Sequence, residues 1–416
     1  MSGPPSLSIN GAAQVLRPPD DGLAYLRHDR VSELVVEPGS VATDGGVISS
    51  LERSGDADIQ VDASECAVIP GFVDCHTHLP FAGWREHEYA MRIAGESYEK
   101  IAHGGGGIRS SARALAAASD HDVLHQAGAL AAEMLRHGTT AFECKSGYGL
   151  SGAAEERAIR LAAMLQERVA QPVVSTALLA HAIPKGFDAD TWMEAVEEML
   201  PQSLHAGDVC ALDIYVESVA FGNEHLRRMG ELARRHSLFL RAHVEQFNWN
   251  ESVPVAVELG ARSVDHLACL PESEVDALAA SETAAVLLPG AEFLGDELVA
   301  PGRSLAEAGA ICALGTDLNP GTSPIASIPV IVGLAVRRYR WSALEALLAC
   351  TLNAAWVLHL SDRLGSLEPG KRADVVVLDG PIERIAYRFA HNPVAIVVCG
   401  GELVHVRPDH AWRVRR

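Results

Sequence analysis

Residues 71–83 read GFVDCHTHLPFAG, and the two histidines set one residue apart decide how the rest of the chain is read. The stretch before them, ECAVIPGFVD, is a short apolar run with β-branched residues and Gly/Pro punctuation, the pattern of a buried strand. Side chains at i and i+2 of a strand face the same way. His76 and His78 therefore project together from the strand's end. A packed core has no need of that, whereas a metal ion does.

Working outward, the 416 residues are 48% apolar and carry a formal charge of −20. That is enough chain for one large globular unit with a satellite domain. No long basic run is present, which argues against nucleic acid as a partner, because phosphate neutralisation needs clustered Lys and Arg. The eight cysteines include no Cys-x-x-Cys pair and read as small buried hydrophobes in a reducing compartment. The N-terminal MSGPPSLSINGAAQ lacks a basic start and a sustained apolar core, unlike a secretory signal. No apolar stretch approaches the ~20 residues of a membrane span. The protein is expected to be cytoplasmic, with no membrane partner.

The two chain ends share a texture. SELVVEPGSVATDGGVISSL near the start, and GSLEPGKRADVVVLDG and NPVAIVVCGGELVHVR near the end, are strand runs broken by Gly turns. Neither end is long enough for its own core, so residues 1–69 and 363–416 are expected to combine into a small β-sandwich domain. Residues 70–362 alternate instead between apolar runs (TTAFEC, PVVSTALLAH, DVCALDIYVE, LFLRAHVE, ARSVDHL, AAVLLP, ICALGTD) and Ala- and Glu-rich helical segments. One of these, DVLHQAGALAAEMLRHG, ends on Gly138 as its C-cap. The predicted fold class is α/β, a (β/α)8 TIM-type barrel. The alternative is a doubly wound sheet, but no G-x-G-x-x-G follows a strand.

Barrel enzymes keep their chemistry at the C-terminal ends of the strands. At those positions stand His76 and His78, then Lys145 and Tyr148, His181, then His243, Glu245 and Gln246, His266, and finally Asp317 and Asn319. Ionisable groups at the ends of apolar strands are costly unless paired or metal-bound. Three imidazoles and a carboxylate suit zinc or iron better than magnesium. The expected ligands are His76, His78, His243 and Asp317, around one ion, Zn2+ or Fe3+. Such an ion lowers the pKa of a bound water towards ~7. Asp317 would accept the water's proton, and His266 would steer or share it. In some barrels a strand-four lysine bridges two metals, but here Lys145 is read as a structural or loop-pairing residue.

PGFVDCHTH, the strand-end His243 and His266, GTD and GSLEPGKRADVVVLD together resemble the amidohydrolase superfamily. HTHLPFAGWREHEYAMRIAGESYEKIAHGGGGI, KSGYGL, AHAIP, HVEQF, LLPGAEFL and TDLNPGTSP narrow the resemblance to the imidazolonepropionase family, in order over nearly the whole chain. The resemblance implies hydrolytic opening of 4-imidazolone-5-propanoate to N-formimidoyl-L-glutamate in histidine degradation. It implies Arg85 as the clamp on the substrate carboxylate, which guanidinium chemistry favours. The plain alternative is a surface salt bridge with Glu86 or Glu88. It also implies that Tyr148 and His181 hold the small-molecule substrate, that Gln246 contacts the reacting ring, that Asn319, Gly321 and Thr322 line the product side, and that Tyr98 touches the substrate. Strand alternation puts Gln246 rather than Glu245 into the site, which argues against a deaminase of the same superfamily. Trp249 either reshapes the pocket or points outward as lid or interface. The loop around His103 to Ile108 is glycine-rich enough to move, though the sequence locates no lid. The expected assembly is a homodimer.

Overall fold

Apolar runs with β-branched residues form eight parallel strands: β1 (Phe72–Asp74), β2 (Thr139–Lys145), β3 (Val173–Ala180), β4 (Val209–Val216), β5 (Phe239–Val244), β6 (Ser263–His266), β7 (Ala284–Leu287) and β8 (Cys312–Leu314). They pair in chain order, each with the next. The computed structural model describes residues 3–53, 56–96, 100–101, 104–295 and 298–416. Among them, no ladder joins β1 to β8. The barrel closes just beyond the strand ends, through a parallel bridge between Thr77 and Leu318. Two backbone bonds of 2.9 Å support it, His78 N–H to Leu318 O and Asp317 N–H to His76 O. The segments that close the barrel are therefore those that carry His76, His78 and Asp317.

The helices between strands are amphipathic and bury one stripe against the barrel. In Asn223–Arg235, Leu226, Met229, Leu232 and Ala233 recur at three- and four-residue spacing and are buried. Each fully buried Leu or Met contributes about 1.5–3 kcal/mol. Helix Asp120–Arg136 starts on Ser119, whose hydroxyl accepts from Asp122 N–H at 3.1 Å. Its C-cap is His137, one residue before the Gly138 read from the sequence, and Gly138 follows at φ +89°.

Among the described residues, both chain ends enter a separate sheet of nine strands. Leu7–Arg17 is its spine. It runs antiparallel to Val35–Asp44 and parallel to both Ile59–Asp62 and Ala67–Pro70. Val375–Leu378 joins Ala67–Pro70, and Val394–Cys399 and Glu402–Val406 extend that wing. Leu7, Ile9, Val41, Val61, Val375 and Ile396 pack into one core between the wings. ECAVIPGFVD, read above as a single strand, is two: Ala67–Pro70 in this sheet and β1 in the barrel. Among the described residues no helix is long and apolar enough to cross a membrane.

Candidate metal centre and pocket

Inward-facing polar residues repeat with period two on four strands. They are Glu143 and Lys145 on β2, Asp213 and Tyr215 on β4, Arg241 and His243 on β5, and Ser263 and Asp265 on β6. The parallel register sets His243 beside Tyr215 on one side and Asp265 on the other. It sets Arg241 beside Asp213 and Ser263.

At the top of the barrel His76, His78, His243, His266 and Asp317 come together, all buried. Potential ligand atoms of His76, His78 and Asp317 lie within 4.8 Å of one another, and so do those of His76, His243 and His266. The rings of His76 and His243 stand edge-on at 4.6 Å. Asp317 Oδ1 is 3.2 Å from His78 Nε2 and 3.5 Å from His76 Nε2. Asp317 adopts φ +53° and His266 φ +85°. These left-handed conformations cost non-glycine residues about 1–3 kcal/mol each and tend to occur where side chains are aimed for function.

The donor set fits a cation. Asp265 Oδ2 lies 2.6 Å from His76 Nδ1, and Asp213 Oδ1 lies 3.1 Å from His243 Nδ1. A carboxylate fixes the proton on Nδ1 and turns the Nε2 lone pair towards the centre. Both Nε2 atoms are buried and, among the described residues, have no hydrogen-bond partner. Burial holds His76 and His78 well below the ordinary histidine range, and His266 down to about 3, so these imidazoles are neutral at pH 7. Burial likewise pushes Asp317 up. Neutral rings with unused lone pairs next to a buried carboxylate are what a zinc or iron site requires.

Above this centre a pocket is lined by His78, Arg85, Ile108, Tyr148, His181, Tyr215, His243, Gln246, His266, Asp317, Asn319 and Thr322. Arg85 is buried, with Nε 3.6 Å from Glu88, so the pairing considered for the surface is an internal one. Arg85 Nε and Nη1 have no hydrogen-bond partner among the described residues. The guanidinium lies across Gly321, where an added Cβ would come within 1.8 Å of Arg85 Nη2. Asn319 holds the turn beneath it. Its Oδ1 accepts from Gly321 and Thr322 N–H, both at 2.8 Å, and its Nδ2 donates to Asp317 O at 2.7 Å.

His181 Nδ1 is 3.1 Å from Gly147 O, so Nδ1 carries the proton and Nε2 is left as an acceptor. Its ring stacks on His78 at 5.2 Å. Gly147 is at φ +112°, and a Cβ there would meet His181 Nδ1 at 2.7 Å. Glu155 shapes the loop that presents Tyr148 by accepting from Gly147, Gly149 and Leu150 N–H at 2.7–2.9 Å. Tyr98 and His103 lie outside the described residues.

Gln246 lines the pocket, though for a different reason from the alternation argued from sequence. Strand β5 ends at Val244, and Glu245 turns to φ +53°. Its carboxylate then accepts from Asn250 N–H at 2.6 Å and Ser252 N–H at 2.8 Å, at the start of helix Ser252–Glu258. Trp249 points outward, 53% exposed, and donates to Glu274 at 2.9 Å.

Lys145 lies at the end of the second strand, fully buried, 2.6 Å from Asp213 and 3.1 Å from Glu143. Burial and the Arg241 guanidinium push its pKa down, but Asp213, Glu143 and Asp265 outweigh them and hold it above the ordinary value. Sequence reading did not single out Asp213, Asp265, Tyr215, Glu143 or Arg241. The available signal was the period-two spacing in ECK, DIY, RAH and SVD, inside runs that were read as apolar.

The amidohydrolase family is matched over residues 67–404. The chain is 40% identical over 408 residues to the imidazolonepropionase of Herpetosiphon aurantiacus, covering 94% of this chain and 96% of that one. It is 42% identical over 399 residues to that of Rubrobacter xylanophilus, covering 92% and 95%. A zinc-bound adenosine deaminase of Xanthomonas campestris shares the fold, with a TM-score of 0.72 and 19% identity over 98% of this chain and 94% of that one. With this match in sequence and a parallel-strand barrel holding histidines and an aspartate at its mouth, the chain belongs to the amidohydrolase family, among its imidazolonepropionases.

Proposed function

We propose that the protein hydrolyses 4-imidazolone-5-propanoate to N-formimidoyl-L-glutamate, a step of histidine degradation. The observation that carries this reading is a buried Arg85, two of whose nitrogens make no hydrogen bond among the described residues, in the same pocket as the imidazole and carboxylate cluster. A ring-opening site for this substrate needs both: a cationic clamp for the propionate and a hydrolytic centre for the lactam.

His76, His78, His243 and Asp317 would hold one metal ion, zinc or ferric iron, which supplies hydroxide at neutral pH and polarises the carbonyl. Arg85 pairs with the propionate carboxylate and fixes the ring's position. His181 accepts a hydrogen bond from the substrate through Nε2, and Tyr148 packs beside it at 5.4 Å. The amide of Gln246 contacts the ring. Asp317 takes the proton released by the attacking water, and His266 relays it to the ring nitrogen as the carbon–nitrogen bond breaks. The lactam carbonyl becomes the second carboxylate of the product, next to the turn of Asn319, Gly321 and Thr322. The reading includes a composite β domain of residues 1–69 and 363–416 around a 70–362 barrel. It also includes a cytoplasmic location and a homodimer, the commonest symmetric assembly.

The test is turnover of authentic imidazolonepropionate by the metal-loaded protein, followed by loss of ultraviolet absorbance. Formimidoylglutamate should accumulate without ammonia. An inert protein, or ammonia released from aminated heterocycles instead, would overturn the reading.

A further inference from the structure

Beneath the pocket lies a chain of buried charges that the hydrolysis does not use. From His76 Nδ1 it runs to Asp265 at 2.6 Å, from Asp265 to Arg241 at 2.6 Å, and from Arg241 to Glu143. From Glu143 it passes to Lys145 at 3.1 Å, to Asp213 at 2.6 Å and to His243 Nδ1 at 3.1 Å. Lys145 also lies 3.7 Å from Asp265. Glu143, Lys145 and Arg241 do not line the pocket. Three carboxylates therefore face two cations where water does not screen them, and the surplus negative charge sits directly under two histidines aimed at the centre.

We propose that Lys145 is a positioning residue for the metal centre: its ammonium, fixed between Glu143 and Asp213, is a resident counter-charge that sets how strongly the site above draws a divalent cation. The inference rests on the metal reading given above. Both carboxylates that orient ligand histidines are shared with Lys145, Asp213 directly and Asp265 at longer range. Removing the ammonium adds one net negative charge below the centre and tightens cation binding. Neutralising Glu143 removes one and loosens it. Simple damage to the barrel would loosen binding in both cases.

The test uses the full chain, stripped of metal and titrated with zinc alone against a chromophoric chelator. Lys145→Met should bind zinc at least about tenfold tighter than wild type, and Glu143→Gln at least about tenfold weaker. Lys145→Arg should stay within about threefold. The double variant Lys145→Met/Glu143→Gln, which restores the charge balance, should return to the wild-type affinity. If Lys145→Met alone does not fold, the double variant compared with Glu143→Gln decides, and it should bind at least about tenfold tighter. Weakening in every variant, or no change in any, overturns the role of Lys145 while leaving the metal reading intact. A wild-type protein that binds no zinc overturns both.

Discussion

The chain-end sheet and the barrel bury opposite kinds of material. Leu7, Ile9, Val41, Val61, Val375 and Ile396 form a core of aliphatic side chains in the sheet. The barrel's centre holds Arg241, Lys145, Glu143, Asp213 and Asp265, all inaccessible to solvent or nearly so. Aliphatic burial stabilises without further conditions. A buried ion network at best breaks even against apolar packing, so its presence points to another use. In the barrel that use is orientation, because the network ends on the two histidines whose Nε2 atoms face the centre.

Breaking each core separates the two roles. Arg241→Met leaves Glu143 and Asp265 without their guanidinium partner and is expected to cost about 3–5 kcal/mol of stability and to shift metal affinity, because Asp265 orients His76 and the charge beneath the centre changes. Ile9→Ala in the sheet is expected to cost about 2–5 kcal/mol with kcat/KM unchanged per folded molecule. Denaturant unfolding alongside kinetics on both variants checks the contrast. A shift in metal affinity in Ile9→Ala as well would erase it.

The pocket sits between these regimes, with charge that is buried but not fully satisfied. Arg85→Ala is expected to lower kcat/KM by about 2–4 kcal/mol, the range for losing a charged partner. Unchanged kinetics would remove the clamp. Gly321→Ala sharpens the same point, because the new Cβ must displace the guanidinium. About a tenfold loss in kcat/KM, or about 1.4 kcal/mol, is expected, falling mainly on KM.

The smallest effect belongs to the chain-end region. Burial pushes the Asp379 carboxyl up, but hydrogen bonds from His391 at 2.7 Å and Arg407 at 2.9 Å outweigh it and hold its pKa below the ordinary value. A carboxylate depressed in the folded state stabilises fully above the unfolded pKa of about 3.9, and that stability is lost as pH falls through the folded value. Thermal unfolding between pH 2 and 6 should show Asp379→Asn lacking about 1 kcal/mol or less of the wild type's acid-dependent stability, and so a shallower acid-limb slope. An identical slope would mean that the pair contributes nothing.

The barrel was legible because each parallel strand is buried on both faces and so appears as a continuous apolar run. His76, His78, His243 and Asp317 were legible because they follow such runs at the end where barrels do their chemistry. The supporting charges were not. An Asp inside DVCALDIYVE looks the same in one dimension whether it faces solvent or the barrel axis, and only register settles which. Gln246 was placed in the pocket by alternation, but the strand had already ended and Glu245 had turned away to hold the next helix. The break of ECAVIPGFVD between two sheets was hidden because both halves are apolar, and only their partners differ.

The proposed chemistry depends on one cation held jointly by segments from β1, β5 and β8. Crystals of the full-length protein soaked in zinc, with diffraction recorded on both sides of the zinc absorption edge, test it most directly. The expected result is a single strong anomalous peak bonded to His76, His78, His243 and Asp317. A peak elsewhere, or Asp317 turned away from the three imidazoles around a filled site, would contradict it.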